Sequence, residues 1–108
     1  MSVTEPAASL IINLPDAAQA AWRAYCAMLA SKDAHFGFLE ELDRRVKNGG
    51  QRTLAEAARL AQLLQEHHAC VHAFATTVRR LASAEPAAHA ALVAALAKVN
   101  QAVGATVN

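Results

Sequence analysis

The sequence predicts an all-α protein: a long antiparallel helical hairpin, about 16–48 and 53–84, followed by a shorter third helix, about 86–103. Three observations predict it. Alanine makes up about a quarter of the 108 residues, with only 4 Gly and 3 Pro, and Ala loses no side-chain entropy on entering a helix. Apolar residues recur at three- and four-residue spacing over long stretches. Helix-start and helix-stop signals are few and widely spaced, which divides the chain into long segments.

The first helix is expected to open at Asp16 as N-cap, with Gln19 three residues on completing a capping box. It closes at "KNGG", residues 47–50, where Asn48, Gly49 and Gly50 can adopt the left-handed conformation of a C-cap. "TLAE", residues 53–56, is a second capping box, with Thr53 as N-cap and Glu56 answering it. Pro86 suits the first position of the third helix, and Gly104 marks its end. Residues 1–15 form an arm before the bundle and 104–108 a tail after it.

Periodicity supplies the expected seams. In the second helix, Ala57, Leu64, Val71 and Val78 form one heptad series, and Leu60, His67, Phe74 and Leu81 the other. The first helix offers Trp22, Tyr25, Leu29, Phe36, Leu39 and Val46, flanked by Met28 and Leu42. Two helices of this length measure roughly 48 Å each, and the third only roughly 27 Å. The third begins where the second ends, so it covers the half of the hairpin away from the NGG loop. That leaves Phe36, Leu39, Leu42, Val46, Leu54, Leu60, Leu63 and Leu64 as an apolar stripe at the loop end. A stripe of that size marks an interface, and the expected solution is a homodimer in which two hairpins complete a four-helix core.

Composition limits the function. With 55% hydrophobic and 18% charged residues the chain is globular. A net charge of +1 is not the basic footprint of a nucleic-acid-binding protein. The longest apolar run, "AALVAALA", is far short of a bilayer span, and the N-terminus lacks a signal peptide's basic region, so the cytoplasm is the expected compartment and no membrane contact is expected. Cys26 and Cys70 make no disulfide framework. Glu40 and Glu41 diverge on a helix, and no nucleophile setting or phosphate loop is present, so no catalytic residue and no cofactor is expected. An interaction module serving a protein partner, as adaptor, chaperone or regulatory subunit, fits better.

The alternative rests on "EHHACVHAF", residues 66–74. His68 and His72 are one turn apart, the spacing at which two imidazoles can share a metal ion. With a turn near residue 50, position i should lie level with about 101 − i, which brings His35 beside Glu66 and His67. A metal- or cofactor-binding bundle would use His35, His67, His68 and His72. The plainer reading makes His35 and His67 a polar layer in the core that fixes register, with His68 and His72 outside it.

Overall fold

The computed structural model describes the backbone of residues 14–107 and the side chains of residues 14–101. The described residues form three helices and no strand: α1 (Asp16–Lys47), α2 (Leu54–Ala84) and α3 (Pro86–Val107). The expected all-α fold is therefore present. The arm expected over residues 1–15 lies mostly outside the described residues. Contacts divide the described residues into two compact units, one of residues 14–23 and 75–107, the other of residues 24–74.

Helix ends follow the local chemistry, with two departures. Pro15 offers its carbonyl to the amides of Ala18 and Gln19 at 2.9 and 3.1 Å, so Pro15 caps α1 and Asp16 is its first helical residue. The expected Asp16–Gln19 capping box does not form. Gln19 instead donates to the Leu14 carbonyl at 3.2 Å, while Asp16 still places a negative charge in the first turn. The second departure is at the far end, where α3 continues through Gly104 to Val107 instead of stopping near Val103. A lone glycine costs a helix only about 1 kcal/mol, which is too little to terminate it.

The loop between α1 and α2 behaves as its sequence demands. Gly49 adopts φ +95°, its amide donates to Val46 at 3.0 Å, and the Gly50 amide donates to Arg45 at 2.9 Å. This is the Schellman arrangement, which satisfies two otherwise orphan carbonyls. The Thr53–Glu56 capping box also forms: Thr53 N–H donates to the Glu56 carboxylate at 2.9 Å, and Glu56 N–H to the Thr53 hydroxyl at 3.0 Å. Glu56 additionally pairs with Arg45 near the end of α1, so one carboxylate both caps α2 and ties it across the loop. Arg52 and Asp43 close the same turn from outside at 2.7 Å.

The first unit buries Ala18, Ala21 and Trp22 of α1 with Leu81 of α2 and Ala88, Leu92 and Ala95 of α3. Alanines let the three helices approach closely around two large side chains, Trp22 and Leu92. The second unit is the hairpin around the loop, made of α1 and α2 alone. Its buried side chains are Leu42 and Leu63, and Tyr25 stacks at a tilt on Phe74 with ring centroids 5.5 Å apart.

In this second unit the seam is rotated from the expected one. The partly or fully buried positions on α1 in this unit are Ala24, Tyr25, Met28, Ser31, His35, Phe38, Leu39 and Leu42, and on α2 they are Glu56, Leu60, Leu63, His67, Cys70 and Phe74. The Leu60–His67–Phe74 series is retained. The Ala57–Leu64–Val71 series is replaced by Leu63 and Cys70, and Leu29, Phe36 and Val46 of α1 are exposed. The apolar stripe on each helix is wider than one neighbouring helix can cover. Periodicity identifies the stripe but not which of its edges faces the partner helix.

Candidate interaction surface on the hairpin

Going round each helix at 100° per residue, the seam on α1 is the 28–31–35–38–42 line and on α2 the 60–63–67–70–74 line. One flank of α1 carries Leu29, Phe36, Leu39 and Val46. The matching flank of α2 carries Leu54, Leu64 and Val71. Antiparallel pairing puts these two flanks on the same side of the hairpin. The opposite side carries Glu41, Arg44, Arg59, Gln62 and Glu66, and is polar. The hairpin therefore has one apolar and one solvated side.

Every large apolar side chain exposed among the described residues, Val93 of α3 excepted, lies on that one side. Leu54 is 91% exposed, Phe36 47% and Val46 44%, with Leu29, Leu64 and Val71 close behind. Scattered exposed leucines are ordinary, but their concentration on one face is not. Trp22 belongs to the same heptad series of α1 as Leu29 and Phe36, and it is 1% exposed.

The eight stripe residues read from the sequence separate into three groups. Leu42 and Leu63, 1% and 6% exposed, belong to the hairpin's own core and are closed to a partner. Leu39 and Leu60 are half-buried at the margin of that core. Phe36, Val46, Leu54 and Leu64 are open. Leu29 and Val71 are open as well, although their heptad positions had suggested the core. An apolar residue one position past a seam residue is the signal that would have found them.

The histidines do not assemble. His67 meets Ser31, not His35, with Nδ1 2.9 Å from the hydroxyl oxygen. His35 instead sets its edge against the neighbouring Phe36, centroids 5.3 Å apart at 71°. One helical turn separates 31 from 35, so both lie on the same line of α1, and a one-turn offset is invisible to periodicity. At the loop the expected register does hold, since Arg45 reaches Glu56. His67 and His68 have rings 6.4 Å apart, and His68 and His72 are exposed. Among the described residues no polar side chain is buried, so His35 and His67 are half-covered seam residues and not a buried polar layer. No group of three or more His, Cys, Asp or Glu among the described residues could hold a metal ion.

Electrostatics concentrate at the loop. Arg45, and after it the Thr53 amide, hold the Glu56 carboxyl at about 2, well below its ordinary 4.5. Arg44, Arg45 and Lys47 occupy the last turn of α1, where cations meet the helix's unpaired carbonyls, which accounts for the basic cluster without a ligand. No helix among the described residues is long and apolar enough to cross a membrane. Set against protein-family models, curated proteins and solved structures, the chain finds no match in any of the three.

Proposed function

We propose that this protein is a non-catalytic protein–protein interaction module whose working part is the apolar side of the hairpin, and that its first partner is a second copy of itself. The observation that carries this reading is the segregation of Leu29, Phe36, Val46, Leu54, Leu64 and Val71 onto one side while the other side stays polar. A two-helix hairpin buries one stripe per helix and has no third element in its unit to cover a second. Two such hairpins set face to face form a four-helix core, and a two-fold axis lets one surface serve both copies.

The strong polar interactions near the loop have structural tasks. Glu56 caps α2 and holds Arg45, and Arg52 holds Asp43. That leaves a surface, not a reaction centre, as the product of the fold. An adaptor, an assembly chaperone or a regulatory subunit would each use such a surface. Two free thiols, one of them exposed, fit a reducing compartment such as the cytoplasm.

The reading is tested by light scattering on the eluting protein over a range of loading concentrations. The expected particle has twice the 11.4 kDa chain mass. A particle of single-chain mass at every concentration would overturn the homodimer.

A further inference from the structure

Along α1, the residues Leu29, Lys32, Phe36, Leu39, Asp43 and Val46 are spaced by alternating threes and fours, which places all six on the apolar side of the hairpin. Their order is apolar, basic, apolar, apolar, acidic, apolar. Reversed, it is the same pattern with the charges exchanged. Such an order complements itself when two copies run in opposite directions.

We propose, building on the homodimer reading above, that two copies pair α1 against α1 antiparallel, about a two-fold axis between positions 37 and 38. Leu29 then faces the partner's Val46, Phe36 faces the partner's Leu39, and Lys32 faces the partner's Asp43. All three pairs arise from a single register, and each occurs twice. Lys32 is exposed and has no ion-pair partner among the described residues. Asp43 accepts from Arg52 on Oδ1 at 2.7 Å, and its side chain is half exposed, which leaves Oδ2 to accept from a second cation.

The other ways of joining two apolar sides misplace these charges. A parallel α1 pair sets Lys32 against the partner's Lys32 and Asp43 against the partner's Asp43. Laying α1 over the partner's α2 with both loops at the same end sets Asp43 against Ala57 and Lys32 near His68, so neither charge meets its opposite. Like charges, or a Lys32 ammonium closed in without a carboxylate, oppose association. In the antiparallel register α2 also runs against the partner's α2, which brings Leu54 across from the partner's Val71 and Leu64 across from the partner's Ala61. Large residues meet apolar or small ones throughout, as interdigitation requires.

The test uses two charge reversals, Lys32→Asp and Asp43→Lys, in the full chain, with self-association followed by sedimentation velocity and folding checked by helicity. Each single variant should weaken self-association by about tenfold or more. An equimolar mixture of the two should dimerise, because every reversed charge then finds its opposite, and the doubly reversed chain should recover on its own. The mixture keeps the test informative if one variant is less stable, since only a matched pair gains by mixing. Wild-type dimers with single variants that associate as tightly as wild type, or a mixture no tighter than its parts, would overturn this pairing and leave the homodimer standing. A monomeric wild type would overturn both.

Discussion

Ser31 and His67 meet across the hairpin seam, the hydroxyl oxygen 2.9 Å from Nδ1. Serine has one hydroxyl proton, and it points to the Met28 carbonyl at 2.8 Å. His67 must then be the donor, so the neutral ring carries its proton on Nδ1 and leaves Nε2 as the acceptor. A long-range proton–nitrogen NMR spectrum of the neutral ring should show the Nδ1–H tautomer. Ser31→Ala should lower stability by about 1 kcal/mol, the usual net worth of one such bond. An Nε2–H tautomer, or a Ser31→Ala chain as stable as wild type, would contradict this arrangement.

Glu56 makes the loop end acid-sensitive. Its carboxyl sits at about 2 in the folded chain against an ordinary 4.5, chiefly through Arg45 and then through the Thr53 amide. The folded state binds this proton less readily than the unfolded state. Its contribution is therefore complete above 4.5 and fades as pH falls from there toward about 2. Melting temperature should drop further between about pH 5 and pH 2.5 for wild type than for Glu56→Gln. The pair is only partly covered, so added salt should narrow the difference. Equal acid responses in the two proteins would mean that the clamp contributes nothing.

Gly49 is the one described residue whose backbone requires glycine, at φ +95°. Gly49→Ala should cost about 1 kcal/mol, because Cβ is strained in the left-handed region although nothing crowds it. Gly50→Ala fails differently: the added Cβ would come within 2.8 Å of Arg45 Cγ and 3.0 Å of the Arg45 carbonyl oxygen. The side chain of Arg45 can yield, but its carbonyl is held by the Gly50 amide itself. Chemical denaturation of the two variants should show both losses. A neutral Gly49→Ala would contradict the Schellman geometry.

Core and face residues should separate cleanly on truncation. Leu42→Ala leaves a cavity between α1 and α2 and should cost about 2–5 kcal/mol. Leu64→Ala, at a residue 39% exposed, should change the stability of the single chain by well under that and act instead on association. Equal losses of chain stability would place Leu64 in the hairpin core and shrink the open face.

Much of the fold was legible in the residues. The NGG C-cap, the Thr53–Glu56 box and Pro86 each declared a helix end, because capping is local chemistry that a few neighbouring residues settle. The start of α1 was less legible, since Pro15 and Asp16 both make acceptable first residues and only the carbonyl's partners decide between them. The hairpin's facing edges were least legible. On α2, Leu63 and Leu64 are adjacent apolar residues, and choosing the first over the second rotates the seam by 100°. That rotation carried Leu29 and Val71 outward, and the one-turn shift put Ser31 in place of His35 opposite His67. Of the eight residues of the expected stripe, Phe36, Val46, Leu54 and Leu64 are exposed, while Leu39, Leu42, Leu60 and Leu63 are partly or fully buried in the hairpin.

The apolar face of the hairpin is proposed to join two copies of the chain. The most direct measurement is the solution mass of Phe36→Glu/Leu64→Glu beside wild type at matched concentration, with helicity recorded for both. Each substitution puts a carboxylate on an open position of the face without touching Leu42 or Leu63. The expected result is a wild-type dimer and a variant of single-chain mass and unchanged helical content. A variant that remains dimeric, or a wild type already of single-chain mass, would contradict it.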